Sequence, residues 1–258
     1  MTGTWAILKK DFSSFYRSWV GVLTSASFLL LAGIFFTLFL FSYSQLSLEA
    51  AQRAYEGVEN LTLSGFVVGG FLLNLGILFL FLAPLLSMRT LAEEKRGGTL
   101  ELLYTYPLSD FEIVSGKYLA LLAQLAFLFL PTLTYVGVLR VRGVRIDGGI
   151  LGAGILGFFL LGSSFLAMGL FFSSLTESQI LASALTFVFL LALWILEWVA
   201  GFLPRPWEFW LAQASPFVHY RDFPLGILDL ADLTYFLCVS AFFLFLTLRA
   251  VETRNWKG

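Results

Sequence analysis

Long charge-free runs of apolar residues, separated by short polar stretches, dominate the chain. Six of these runs are long enough to cross the ~30 Å of hydrocarbon in a bilayer as α-helices of about 20 residues. They lie within residues 19–43, 65–88, 118–139, 149–173, 180–203 and 230–248. The runs do not alternate apolar and polar residues, so they do not indicate the strands of a membrane β-barrel. The pattern therefore predicts an all-α polytopic membrane protein with six transmembrane helices.

Two further segments have helical features but are too polar or too interrupted to span a membrane. In residues 1–18, aromatic and aliphatic side chains recur at helical spacing and the basic residues fall between them, which predicts an amphipathic helix. We expect this helix at the membrane interface, with packing on a partner protein as the alternative. Residues 204–228 contain four prolines and several aromatic residues. That composition predicts short helices joined by turns over the outer face.

Local signals agree with these boundaries. Capping-box patterns at residues 109–112 and 176–179 precede the third and fifth runs, and Asp229 precedes the sixth. Glycine is frequent in the fourth run, which predicts that this helix packs closely against its neighbours. The glycines in question are Gly152, Gly154, Gly157, Gly162 and Gly169.

The composition supports the membrane class and narrows the chemistry. The 258 residues are 59% hydrophobic and only 13% charged, whereas a soluble domain is nearer half apolar and a quarter charged. The net charge of −1 gives no indication of a nucleic-acid partner. With one cysteine and one histidine, a histidine-rich metal site within a single chain is excluded, and we predict no metal.

The distribution of basic residues predicts the orientation. Lysine and arginine are more frequent in the segments that share a side with the two termini, which favours cytoplasmic N- and C-termini. Residues 140–145 are an exception, because they place three arginines on the other side. We therefore expect a multi-pass protein of the cytoplasmic (inner) membrane.

Enzyme-like motifs are not apparent. The Gly116-Lys117 pair is followed by Tyr118 and lacks the glycine pattern of a phosphate-binding loop, so this motif does not predict ATP binding. Apart from serine, threonine and tyrosine, and from Asp232 at the start of the sixth run, the polar residues within the runs are Asn74, Gln124 and Glu197. They either line a substrate path or make helix contacts, and Glu197 lies close enough to the end of its run to reach the interface.

The loop between the second and third runs, residues 93–107, has an unusual pattern. Four charged residues precede Gly97-Gly98, and Leu100, Leu103 and Tyr104 then follow at helical spacing. Pro107 ends the pattern. This predicts a short amphipathic helix that docks in a groove of a partner protein. A solvated loop resting on lipid headgroups is an equal alternative.

The same loop resembles the signature region of type-2 ABC transporter permeases, close to the gliding-motility-type and nitrous-oxide-reductase-maturation-type members. The matching residues are Glu93, Glu94, Lys95, Arg96, Gly98, Thr99, Leu100, Glu101, Leu102, Leu103, Pro107, Leu108, Ser109, Glu112, Ile113, Gly116 and Lys117. The closing part of the chain is also similar to that family, at Ser215-Pro216-Phe217, Gly226, Asp229 and Asp232.

The resemblance implies a non-catalytic membrane subunit of an exporter-type complex. The loop would carry the coupling helix, which contacts a separate ATP-binding subunit through Glu93, Glu94, Lys95, Arg96, Gly97, Gly98, Thr99, Leu100, Glu101, Leu102, Leu103 and Tyr104. Two such subunits would hold ATP and Mg, with no cofactor on this chain, and a second permease copy would complete a homodimer in membrane lipid. The alternative is a mechanotransmission unit that relays ATP hydrolysis to an outer-face accessory protein without moving solute.

Overall fold

The computed structural model describes residues 2–53, 62–98, 109–204 and 206–253. Every regular element in those ranges is helical, which confirms the predicted all-α class. Six helical segments in them are long and apolar enough to cross a membrane: Trp19–Glu49, Ser64–Arg96, Asp110–Val141, Gly148–Leu175, Gln179–Ala200 and Leu230–Glu252. These segments correspond, in the same order, to the six apolar runs of the sequence.

The elements are numbered in chain order. The first half contains α1 (Thr2–Arg17), α2 (Trp19–Arg53), a π-helical turn (Ser64–Gly69), α3 (Gly70–Ser87) and α4 (Ala92–Arg96). The third span is α5 (Asp110–Phe129), a 3-10 turn (Leu130–Thr132) and α6 (Leu133–Val141). The second half contains α7 (Gly148–Leu175), α8 (Gln179–Ala200), α9 (Trp207–Gln213), α10 (Pro216–Tyr220), a 3-10 turn (Phe223–Leu225) and α11 (Leu230–Glu252).

Side-chain caps are found at the starts of four described spans, of which the cap of α7, where the Asp147 carboxylate accepts a hydrogen bond from the Gly149 amide, was not predicted. Ser109 and Glu112 form a complete capping box at α5, and the Asp229 carboxylate accepts a hydrogen bond from the Ala231 amide at α11, as predicted. The prediction for α8 was two residues early. Its cap is Ser178, whose hydroxyl accepts from the Leu181 amide. Thr176 instead accepts a hydrogen bond from the Ser178 amide at 3.1 Å, ahead of the helix.

The second and fourth spans form the centre of the bundle. In their most apolar windows, 67% and 61% of the residues are buried, against 22% or less in the first, fifth and sixth spans. Close approach of α7 to its neighbours depends on glycine: Gly157 lies against the Phe223 ring and Gly169 against the Ser87 side chain. Gly152 faces open space, so only part of the predicted glycine set packs closely.

Hydrogen bonds between spans define two ends of the bundle. At the end that carries α1, the amides of Leu91 and Ala92 both donate to the Ser173 hydroxyl at 3.1 Å, which joins α4 to the end of α7. We call this the α1 end. At the opposite end, Ser64 donates to the Arg145 carbonyl and accepts from the Asp147 amide. The starts of the second and fourth spans thus lie together at one end and their finishes lie together at the other, so the two spans run parallel.

The segment before the last span closes the opposite end. It forms two short helices and a 3-10 turn, which is the broken helical structure that its prolines predicted. Tyr220 anchors it, because its fully buried hydroxyl donates to the Leu72 carbonyl at 2.6 Å. Gly226 ends the turn with φ +85°, a left-handed conformation that favours glycine. The position of this segment on the outer face of a membrane stays a prediction.

Helix α1 packs along α5 of the same chain. The rings of Phe12 and Tyr16 lie 5.9 and 4.5 Å from the ring of Phe127. Trp5 and Trp19, near the two ends of this helix, are 66% and 89% exposed. One face of α1 is thus used for packing within the chain, and exposed tryptophans lie at its ends. Its location at the membrane interface stays a prediction.

Candidate functional site

Four charged residues from three elements meet at the α1 end. They are Lys10 and Asp11 of α1, Glu94 of α4 and Lys117 of α5, and we call them the ion cluster. The Lys117 ammonium lies 2.6 Å from the Glu94 carboxylate, 3.3 Å from the Asp11 carboxylate and 2.7 Å from the Thr90 carbonyl. Its side chain is only 1% exposed. Three acceptors match its three N–H donors, which is what a buried ammonium requires.

Lys10 completes the ion cluster from the solvent side. Its ammonium lies 2.8 Å from the second carboxylate oxygen of Glu94, and its side chain is 56% exposed. Desolvation lowers the pKa of Lys10, but its hydrogen bond to Glu94 and the nearby carboxylates outweigh this and raise the pKa above its ordinary value. Glu94 therefore binds two ammonium groups at once, one buried and one exposed.

The other side of α4 is attached to the fourth span. The Lys95 ammonium donates a hydrogen bond to the Ser174 carbonyl, next to the Ser173 hydroxyl that accepts the two amides from the start of α4. Five residues of helix are thus fixed on one side to α1 and α5 and on the other to α7. Gly98 follows with φ +65°, and no atom lies within 4 Å of the position that a Cβ would occupy there. It therefore ends the helix in open space.

The structure gives the predicted coupling residues different surroundings. Glu93, Arg96, Gly97 and Gly98 are exposed, whereas the Glu94 and Lys95 side chains contact other parts of this chain. The remaining predicted residues, Thr99, Leu100, Glu101, Leu102, Leu103 and Tyr104, lie outside the described residues. Contact of this set with an ATP-binding subunit stays a prediction.

Sequence reasoning missed the ion cluster. The sequence places Lys117 at the boundary of the third apolar run and Lys10 on the polar face of the predicted amphipathic helix, and no role was predicted for Asp11. One signal was available: Lys117 lies seven residues inside the helix that starts at Asp110. A lysine that is buried in such a helix needs carboxylate partners for its ammonium group. The sequence contained no indication of which carboxylates these are.

The three polar residues proposed for a substrate path lie in different surroundings. The Asn74 amide donates to the Gly70 carbonyl of its own helix at 3.0 Å. Gln124 lines a cavity at the α1 end. Glu197 forms an ion pair with Arg221 at the opposite end. The alternatives of helix contact and substrate path stay open for Asn74 and Gln124, while Glu197 has a partner in the chain that its sequence position did not indicate.

A second polar group lies at the opposite end. The Nδ1 atom of His219 lies 2.6 Å from the Asp232 carboxylate, and its Nε2 atom lies 3.0 Å from the Gln213 carbonyl. The ring stacks on Tyr235 with centroids 3.9 Å apart. Both partner atoms are hydrogen-bond acceptors, so both hydrogen bonds form when each ring nitrogen carries a hydrogen to donate. His219 thereby joins α9 and α10 to the start of the last span.

Six apolar helices around a well-packed centre, with polar groups gathered at the two ends, define a multi-pass helical membrane protein. The family described as ABC-2 family transporter protein matches residues 5–251, which is nearly the whole chain, and the chain belongs to that family. It is therefore of the class of transmembrane subunits of ABC transporters, and this class implies association with an ABC ATP-binding subunit. No curated protein matches the chain.

Proposed function

We propose that this chain is the non-catalytic membrane subunit of an exporter-type complex. ATP hydrolysis on a separate subunit moves a substrate across or out of the membrane, and residues 93–107 carry the coupling helix that contacts that subunit. The family supports the membrane subunit and the ATP-binding partner. Export and the coupling contact are our inference.

The observation that carries this proposal is the attachment of α4 on both sides. The ion cluster holds α4 to α1 and α5, and the hydrogen bonds to Ser173 and Ser174 hold it to α7. A force applied to the exposed residues Glu93, Arg96 and Gly97 is therefore passed directly to the ends of three elements. This is the arrangement that a coupling element requires.

The proposed assembly contains two copies of this chain and two ATP-binding subunits. ATP and Mg are held by the partner subunits, and the permease copies form a homodimer in the inner membrane with cytoplasmic termini. Large apolar side chains are exposed on the first, fifth and sixth spans, for example Leu30, Val188 and Phe242. Such surfaces are suited to membrane lipid and to a second copy.

A relay of force to an accessory protein is the second candidate, and one observation favours it. Trp207, Phe209 and Trp210 of α9 are 60%, 58% and 66% exposed at the opposite end. Aromatic residues of this kind are enriched in binding hot spots and also at membrane interfaces. Under this candidate the complex moves no solute, and α9 contacts the accessory protein.

The direct test is capture of the candidate ATP-binding subunit by the detergent-solubilised chain. We expect the wild-type chain to capture it and Leu103→Asp to lose it, because the substitution places a charge on the apolar face of the predicted coupling helix. Leu228→Asp is the matched control, since Leu228 is 57% exposed and precedes α11 at the opposite end. Equal capture by both variants would contradict the coupling assignment.

A further inference from the structure

A cavity of about 300 Å³ lies beside the ion cluster, between α1, the α3–α4 connection and α5. This volume is at the lower end of the range for small-molecule sites. Its polar lining includes Arg89, Glu94, Lys117 and Gln124, and its apolar lining includes Phe15 and Leu121. The cavity is therefore amphipathic, lined by both charged groups and hydrocarbon.

Two polar side chains at this cavity have atoms that lack partners in the described part of the chain. The Nε atom of Arg89 is buried without a hydrogen-bond acceptor, and Arg89 forms none of the ion pairs found there. The amide oxygen of Gln124 is buried without a donor, and the residue is only 4% exposed. Buried polar groups are normally hydrogen-bonded, so each of these atoms indicates a missing partner.

Three cations, Lys10, Arg89 and Lys117, and three carboxylates, Asp11, Glu93 and Glu94, line the cavity. Within the ion cluster, the carboxylates of Asp11 and Glu94 are matched by the ammonium groups of Lys10 and Lys117. Glu93 is exposed at the rim. Arg89 is the lining cation that joins none of the ion pairs found among the described residues, which makes it the contact for an anionic ligand, and a guanidinium suits the oxygens of a phosphate particularly well.

The position of the cavity indicates where such a ligand comes from. Leu86 and Arg89 lie at the end of the second span, Lys117 near the start of the third, and Phe15 just before the first. Gln124 lies two helical turns, about 10 Å, further into the third span than Lys117. The cavity thus extends from the level at which spans begin toward the apolar interior. Phospholipid headgroups are found at this level of a membrane.

We propose that the cavity binds the headgroup of a membrane phospholipid. Arg89 contacts the phosphate, and Gln124 accepts a hydrogen bond from an ammonium or hydroxyl group of the same headgroup. Phe15 and Leu121 contact its apolar part. The inference does not rest on the ATP-binding partner, because every residue that it uses belongs to this chain.

The test uses the chain alone, purified in detergent, with lipid binding followed by native mass spectrometry and by the thermal unfolding shift. The probes are phosphatidylethanolamine and phosphatidylglycerol, which carry a hydrogen-bond donor, and phosphatidylcholine, which has the phosphate but no donor. We expect the first two to bind the wild-type chain more tightly than phosphatidylcholine does. Arg89→Gln should weaken all three by about tenfold or more, since a charged hydrogen bond is lost.

Gln124→Leu separates the two contacts. It should abolish the preference over phosphatidylcholine and leave binding of phosphatidylcholine unchanged. Without lipid, both variants should unfold at or above the wild-type temperature, because neither unpaired atom has an internal partner to lose. Arg142→Gln, at an exposed arginine of the opposite end, is the matched control and should bind lipid like the wild type.

Three results would overturn the proposal. Equal lipid binding by Arg89→Gln and the wild type would show that Arg89 does not contact the phosphate. No shift with any lipid would indicate a cavity filled by water only. Inorganic phosphate or glycerophosphoethanolamine could also produce the full thermal shift at concentrations comparable with those of the lipids. That result would show that the ligand is a soluble phosphate compound and not a lipid.

Discussion

Lys117 shows how one residue can connect several elements of an apolar bundle. An isolated buried ammonium is strongly unfavourable, yet this one has two carboxylates and a carbonyl within 3.3 Å. The three acceptors come from α1, α4 and the α3–α4 connection. The charge is therefore stable in the folded chain only while all these elements are in place.

Removing this charge is the first prediction. Lys117→Met should destabilise the chain by about 3 kcal/mol, because the largely buried carboxylates of Asp11 and Glu94 lose their shared buried counter-ion and only the exposed Lys10 remains beside Glu94. Lys10→Met should cost less than about 1 kcal/mol, since the Lys10 side chain is largely exposed. Unfolding in detergent, followed by circular dichroism, measures both. Equal losses for the two variants would contradict the importance of the buried ammonium.

At the scale of the element, α7 depends on the size of its residues. Gly169 lies so close to the Ser87 side chain that an added methyl group has no room, whereas Gly152 on the same helix has nothing within 4 Å. The contribution of a glycine to helix packing thus depends on how close its neighbours lie, and not on its presence in a span.

The second prediction compares these two glycines. Gly169→Ala should destabilise the chain by about 1–3 kcal/mol through overpacking. Gly152→Ala should stabilise it by about 0.5–1 kcal/mol, because alanine loses less backbone entropy in a helix. The same unfolding measurement reports both. A change of the same sign in the two variants would show that helix propensity outweighs packing here.

The third prediction concerns the short helices α9 and α10. His219→Phe keeps a ring over Tyr235 but removes the hydrogen bonds to Asp232 and Gln213, so we expect α9 and α10 to loosen locally. The cost should be about 1–3 kcal/mol for the unpaired groups. Limited proteolysis between residues 207 and 225 measures the opening. Cleavage at the wild-type rate would contradict this, and Thr234→Ala, an exposed change on α11, is the control.

At the scale of the whole molecule, much of the fold could be predicted and little of the site. The six spans and two of the four side-chain caps in the described residues follow from local patterns, because apolar length and capping are properties of neighbouring residues. The ion cluster does not, since Lys117 and Asp11 are 106 positions apart and many carboxylates were available to it. The pairing of Glu197 with Arg221 likewise depends on how the segment at the opposite end folds back.

The fourth prediction tests orientation. In a Cys238→Ser background, cysteines replacing the exposed residues Glu93 and Arg142 lie at opposite ends of the bundle. If the termini are cytoplasmic, a membrane-impermeant maleimide should label Arg142→Cys in intact cells and Glu93→Cys only after permeabilisation. The cysteine-free background is the control for labelling specificity. The reverse pattern would invert the predicted orientation.

The ion cluster also has a consequence for how sequences in this family can diverge. Asp11, Glu94 and Lys117 form one electrostatic unit, although they are widely separated in the chain. A neutral residue at the lysine position leaves carboxylates that are costly to bury, so compensating changes at the two acidic positions should accompany it. Homologues are thus expected either to keep all three charges or to lose all three, so the positions of Asp11, Glu94 and Lys117 should vary together as one unit.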